Sequence, residues 1–244
     1  MDWFKTWFNS PYYHILYKNR DFQEAQNFIK LLVAELNLMK NDKVIDLACG
    51  KGRHSVFLNQ LGFEVLGLDL SAQSIQHNQQ FTNDKLQFKV HDMRAPIIGV
   101  DQVNAVLNLF TSFGYFSDEK DDERVFRSVY NILKEEGCFV LDFLNERYVK
   151  NTLIPKENQT IDGITFHLTR EIRDNHVVKD ILFTDGGEDF HFYEKVKLHT
   201  KESIEDLAKE IGFERVALFG GYKLEPFNLE NSSRCISVFR KVSQ

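Results

Sequence analysis

The chain is poor in the residues that break or staple a polypeptide. Of 244 residues only 4 are proline and 13 glycine, which excludes long flexible linkers and collagen-like repeats. Three cysteines, Cys49, Cys138 and Cys235, are odd in number and far apart, which excludes a disulfide framework and zinc or redox spacings. Set in apolar runs, they read as buried thiols of a reducing compartment, so a cytoplasmic location and no metal site are expected. No run of ~18 apolar residues occurs, so no membrane helix is expected. The start, Met1-Asp2-Trp3-Phe4-Lys5, lacks the pattern of a signal peptide. Positive charge is also short. Thirty Lys and Arg against 36 Asp and Glu leave a net charge of −6, a poor match to a phosphate backbone, so no nucleic-acid partner is expected. What is abundant is phenylalanine, 22 residues in a chain 43% apolar. That points to a globular protein with a large aromatic core or an aromatic-lined pocket.

Periodicity alternates between strand and helix. Residues 43–47, 64–70, 86–91, 102–109 and 138–144 read as strands; 55–61, 71–81 and 118–136 read as helices between them. In the last of these, Val125, Val129, Ile132 and Leu133 recur at spacings of three and four, acids crowd the first turns, and Gly137 follows as a C-cap. This repetition predicts an α/β fold, a parallel sheet covered on both faces. Beyond Asn145 the pattern changes. Residues 164–172, 177–184 and 190–198 alternate like antiparallel strands, joined at Asp174-Asn175 and Asp185-Gly186-Gly187. A helix over 201–211 and strands over 215–219 and 235–240 complete the chain, with a loop over 220–233. The expected organisation is one domain over 1–244: a helical lid over 1–40, a binding core over 41–145, an antiparallel insert over 151–198, and a closing helix and strand pair over 199–244.

The chemistry concentrates where strands end. Asp46-Leu47-Ala48-Cys49-Gly50-Lys51-Gly52-Arg53-His54-Ser55 is a strand, a glycine turn and a helix start. Glycine permits close approach of a ligand, and helix N-terminal amides favour electron-rich groups. The dinucleotide fingerprint would place a third glycine at Ser55. Asp46 at the strand end suits a cationic ligand better than a pyrophosphate, which it would repel. Asp69 ends the next strand, 19 residues after Gly50, near the ~20 expected of a carboxylate that accepts from ribose hydroxyls. Asp92 ends the third, placed to accept from an exocyclic amine.

The ordered set Asp46-x-Ala48-Cys49-Gly50-x-Gly52, Asp69 and Asp92-Met93 resembles the class I S-adenosylmethionine-dependent methyltransferases over roughly residues 40–145 and the terminal strand pair. The resemblance implies a Rossmann-like, seven-stranded, mostly parallel sheet whose last strand is antiparallel, with an N-terminal helical lid and an antiparallel insert. It implies S-adenosyl-L-methionine as cofactor. Asp46, Ala48, Gly50 and Gly52 would line its methionine part, with Cys49 and His54 in the same turn. Asp69 would hold the ribose, Leu70, Asp92 and Met93 the adenine, and Asn108 and Leu109 would lie beside the sulfonium. Tyr17 and Arg20 of a helix over 12–20 would close over the cofactor. Tyr13, Phe113, Tyr115 and Arg170 would face the acceptor.

Asn108-Leu109-Phe110-Thr111 is not Asn-Pro-Pro-Tyr, so the pattern associated with amines of bases or glutamine is absent. The expected function is methyl transfer to a nitrogen or oxygen of a small molecule by in-line displacement. That chemistry asks chiefly for alignment. No base stands out; Tyr115 and His14 are the candidates, with His54, His91 and His167 by location. The partner expected is a small-molecule acceptor, with the protein a monomer or homodimer. Three other readings remain open at this level: a non-catalytic S-adenosylmethionine-binding protein, a nicotinamide-dependent oxidoreductase on a similar sheet, and a nucleic-acid methyltransferase.

Overall fold

Alternating apolar strands and amphipathic helices assemble into a central sheet with helices on both faces. A computed structural model of the chain describes residues 3–18 and 22–242. Three helices lead in: α1 (Trp3–Phe8), α2 (Pro11–Leu16) and α3 (Phe22–Glu35). The core then runs β1 (Lys43–Leu47), α4 (Arg53–Gln60), β2 (Glu64–Asp69), α5 (Ala72–Asn78), β3 (Leu86–Val90), β4 (Val103–Asn108), α6 (Glu119–Ile132) and β5 (Leu133–Leu144). A short helix, α7 (Glu146–Thr152), leads to β6 (Lys156–Ile161), β7 (Ile164–Arg173), β8 (His176–Asp185) and β9 (Glu188–Lys197). The chain closes with α8 (Lys201–Ile211), β10 (Phe213–Phe219) and β11 (Arg234–Lys241).

The main sheet has the order β10-β11-β5-β4-β1-β2-β3, with β11 antiparallel to both neighbours and the other six strands running in one direction. This is the Rossmann-like, seven-stranded sheet with its last strand antiparallel. Along each central strand the side chains alternate between two buried layers. Ile45, Val106, Phe139 and Leu141 pack against α6 and α8. Val44, Ala105, Leu107 and Val140 pack against α3, α4 and α5. The first layer is aromatic, with Phe126 edge-on to Phe139 and Phe239. Each fully buried phenylalanine contributes ~1.5–3 kcal/mol relative to exposure.

The strands run outward from β1 in two directions, β2 then β3 one way and β4 then β5 the other. The crevice at this reversal lies between the carboxyl ends of β1 and β4. Asn108 fastens it: its Nδ2 donates to the carbonyls of Leu47 (3.0 Å) and Ser112 (3.5 Å).

The second sheet is a four-stranded meander, β6-β7-β8-β9. Each link is a two-residue turn with both residues in the left-handed region: Asp162-Gly163, Asp174-Asn175 and Gly186-Gly187. Such turns match the twist of the strands they join. The meander packs Phe166, Leu168, Ile181 and Phe183 beneath Trp7 and Leu16 of the N-terminal helices.

Four local expectations are corrected. The helix expected over 118–136 stops at Ile132, because Leu133 joins the sheet opposite Val103. Gly137 is therefore a strand residue and not a C-cap; a Cβ there would lie 2.8 Å from the Lys134 carbonyl oxygen. The lid helix expected over 12–20 ends at Leu16, with Tyr17 as its cap, and Arg20 lies outside the described residues. The segment from 146 to 161 holds a helix and an edge strand that alternation did not reveal.

Candidate functional site

The turn after β1 is built from backbone that ordinary side chains resist. Ala48, Gly50 and Gly52 all have positive φ, at 63°, 53° and 73°. Ala48 carries a cost that persists only where surroundings enforce it, and such residues cluster at functional sites. At Gly50 a Cβ would meet nothing within 4 Å, so space opens beside this backbone. Gly52 has the opposite surroundings: a Cβ would press on Phe88 and Asn78 at 3.0–3.2 Å. It closes the turn from behind and does not reach the cavity wall.

Asp46 at the end of β1 is 1% exposed. Ser55, in the first turn of α4, donates to its Oδ2 at 2.6 Å. Burial pushes the Asp46 carboxyl up to about 6, against the lowering effect of the Ser55 bond. Ser55 thus stands where the dinucleotide fingerprint needs glycine, and holds an acid instead. Asp69 at the end of β2 accepts from the backbone amides of Gly50 (2.8 Å) and Ser71 (2.7 Å), one on each oxygen. Burial raises its pKa, opposed by those two amide bonds. Asp92 differs. Arg94 grips both its oxygens, Nε to Oδ1 at 2.9 Å and Nη2 to Oδ2 at 2.6 Å, and holds its pKa below the usual carboxylate range. Arg94 reaches on to Asp121 at 3.2 Å. Asp92 is thus an acceptor locked in place by its own neighbour.

The loop after β4 is also strained, with Phe110 and Thr111 at φ 59° and 62°. Asp142, buried in β5, accepts from the Phe110 amide at 2.7 Å, and its carbonyl from the Thr111 amide at 3.1 Å. Arg234 of β11 donates to Asp142 Oδ1 at 2.7 Å. The Phe110 ring lies between His54 (5.0 Å, stacked) and Tyr222 (4.7 Å, stacked), under the Arg53 guanidinium at 4.3 Å.

One cavity of about 940 Å³ opens among these elements, near the top of the ~300–1,000 Å³ range of small-molecule sites. Asp46, Ala48, Cys49, Gly50, His54, Asp69, Leu70, Asp92, Met93 and Leu109 line it. Tyr13, His14, Tyr17, Tyr115 and Arg170 also line it, beside Trp3 and Phe8. The Tyr115 ring meets Trp3 at 5.3 Å and Phe8 at 5.5 Å, and its hydroxyl donates to the Thr111 carbonyl. Besides Gly52, two expected residues fall elsewhere. Phe113 is fully buried against Phe126, Phe143 and His199; it belongs to the core beneath the site. Asn108 is fully buried too, and acts on the crevice through the bonds described above.

Sequence reasoning missed Lys179 and Glu194, which line the same cavity. Glu194 Oε1 accepts from Trp7 Nε1 (2.8 Å) and from the Tyr17 hydroxyl (2.6 Å). Lys179 donates to the Tyr17 oxygen at 2.7 Å and lies 3.6 Å from Glu194 Oε2. Burial lowers the Lys179 pKa. The signal was present in the two hairpin turns, which set Arg170 opposite Lys179 and Lys179 opposite Glu194. Burial raises the Cys49 thiol well above its usual range, which removes it as a nucleophile. Among the described residues no group of three or more His, Cys, Asp or Glu is placed to hold a metal ion, and no helix is long and apolar enough to cross a membrane.

Residues 44–137 match the family model described as a methyltransferase domain. That segment carries a methyltransferase domain, and the whole sheet has the fold of S-adenosylmethionine-dependent methyltransferases. Its methyltransferase segment is 37% identical over 111 residues to YqeM of Bacillus subtilis, a candidate methyltransferase by name; the match spans 44% of each chain, less than half of that relative. A glycine/sarcosine N-methyltransferase of Aphanothece halophytica is 24% identical over 237 residues, 91% of this chain and 83% of the relative. The crystal structure of an S-adenosylmethionine-dependent methyltransferase from Clostridium acetobutylicum shares the fold with a TM-score of 0.80 at 20% identity, covering 95% and 96% of the two chains.

The methyltransferase cofactor suits the residues present. A buried carboxylate at Asp46 calls for a cation, which the α-ammonium of S-adenosylmethionine supplies. Asp69 keeps lone pairs for ribose hydroxyls beyond the two amides it accepts. The open space at Gly50 lets a ligand lie against the backbone.

Proposed function

We propose that the protein transfers a methyl group from S-adenosylmethionine to a nitrogen or oxygen of a small molecule, by in-line displacement. The observation that carries this reading is the shared cavity. Strand-end acids line one part, and aromatic and charged side chains of the N-terminal helices and meander line the other. When bound, S-adenosylmethionine supplies an activated methyl group. The protein's share is then alignment and exclusion of water. Asp46 would hold the ammonium, Asp69 the ribose, and Leu70, Asp92 and Met93 the adenine. Leu109 and the strained Phe110–Thr111 backbone would border the transferring methyl. Tyr13, Tyr115 and Arg170 would border the acceptor, and His14 and Tyr115 are the groups placed to take a proton from it.

The glycine/sarcosine N-methyltransferase relative supports a small acceptor, and the three free cysteines support a reducing, cytoplasmic setting. The test is calorimetric titration with S-adenosylhomocysteine and with a reduced nicotinamide dinucleotide, followed by transfer of labelled methyl from S-adenosylmethionine to a panel of small amines and acids. Micromolar binding of the first ligand with label in a small product bears the proposal out. Binding of the nicotinamide alone, or label entering only RNA or DNA, refutes it.

A further inference from the structure

The face of the meander that meets the N-terminal helices carries two apolar ranks on β7, β8 and β9. Phe166, Phe183 and Phe190 form one rank across β7, β8 and β9, and Leu168, Ile181 and Phe192 the next. The following rank is Arg170, Lys179 and Glu194, and all three line the cavity. Charged side chains on an otherwise apolar, largely buried face are costly unless matched. Glu194 matches part of this charge, shared among Trp7, Tyr17 and Lys179. Glu157 holds Arg170 at 2.9 Å, but Glu157 is absent from the cavity wall and its side chain is 35% exposed. A pair of that kind contributes little and exchanges readily. Within this rank two cations and one carboxylate line the cavity, with Glu157 outside it behind Arg170. Arg170 spends N–H donors on Glu157 and on the Ile154 carbonyl, two of the five a guanidinium carries.

We infer that the methyl acceptor carries a carboxylate, which Arg170 and Lys179 bind from this rank. The inference rests on the methyltransferase reading above and narrows its acceptor. A carboxylate on the acceptor gives Arg170 a partner inside the cavity. A neutral acceptor leaves Arg170 to the partly exposed Glu157 alone, and a phosphate dianion brings more charge than this rank can take up. Arg170 offers the planar fork that fits a carboxylate, and Lys179, steadied by the Tyr17 hydroxyl, offers a point charge. The aromatic rings of Tyr13, Phe8 and Tyr115 give the rest of the acceptor an apolar wall.

The test uses the full chain, with and without S-adenosylhomocysteine, and ligand-observed NMR titration of two probes of equal shape: benzoate and benzamide. Saturable benzoate binding at millimolar concentration is expected, with benzamide at least about tenfold weaker. Arg170→Gln and Lys179→Met should each weaken benzoate by about tenfold, with S-adenosylhomocysteine affinity unchanged as the sign of an intact fold. Equal binding of the two probes, absence of saturable benzoate binding, or benzoate affinity retained in both folded variants overturns the inference. Failure of the unaltered protein to bind S-adenosylhomocysteine strikes the cofactor reading instead, and the titrations without it still decide this one.

Discussion

Asp46→Asn separates the two demands placed on one buried carboxyl. An acid whose pKa rises from 3.8 to about 6 on folding carries a cost of about 3 kcal/mol above pH 6. The folded protein still holds a proton between pH ~4 and 6 that the unfolded chain has lost, so stability falls as the pH rises through that window. Asparagine never ionises and still accepts from Ser55. In a domain of this size ~1 kcal/mol moves the melting temperature by ~2–4 °C. Asp46→Asn should therefore melt several degrees higher than the parent at pH 7.5, with the difference vanishing below pH ~4. The same change removes the group proposed to hold the ligand ammonium. A charge-assisted hydrogen bond of ~1.5–3 kcal/mol is lost, so S-adenosylhomocysteine should bind about 10- to 100-fold more weakly. Calorimetric melting across pH and ligand titration at pH 7.5 read the two effects. A lower melting temperature at pH 7.5 refutes the desolvation argument. Unchanged ligand affinity refutes the ammonium assignment.

Other residues give sharper contrasts. Asp69→Ala removes the ribose acceptor and should weaken S-adenosylhomocysteine by ~1–3 kcal/mol in a calorimetric titration, with helical content preserved by circular dichroism. Phe113→Ala should cost ~3–5 kcal/mol in urea denaturation, as a core truncation, and leave the order of preference among acceptors unchanged. Asp142→Ala strands the nine-tenths buried Arg234 and should lower stability by ~3–5 kcal/mol; adding Arg234→Met should recover part of that loss in the same urea assay.

The acids at the ends of β1, β2 and β3 were legible because Asp46 and Asp69 close apolar runs and Asp92 an alternating one, and parallel strands end on one edge. The parallel sheet followed from the same alternation; its seven strands, the last antiparallel, came from the family resemblance. The end of α6 was not legible, because Lys134, Glu135 and Glu136 are good helix formers and only the pairing of Leu133 with Val103 overrides them. Phe113 was misplaced for a backbone reason. Left-handed residues at Phe110 and Thr111 break the simple alternation after β4, so the facing of each aromatic could not be counted from the strand. The edge strand β6 reads Lys-Glu-Asn-Gln-Thr-Ile, polar enough to pass for a loop. Lys179 and Glu194 sit in visible strands. Their meeting follows from counting register back from the Gly186-Gly187 turn, a step that strand assignment alone does not take.

Trp7 and Tyr17 come from opposite ends of the N-terminal helix pair, yet both donate to one oxygen of Glu194. Moving those helices off the meander would break both bonds together, along with those of Tyr12 to Asp185 and Lys18 to Asp162. It also exposes Lys179 to water, which restores the hydration its burial had removed. Weakening Glu194 would therefore loosen both helices at once.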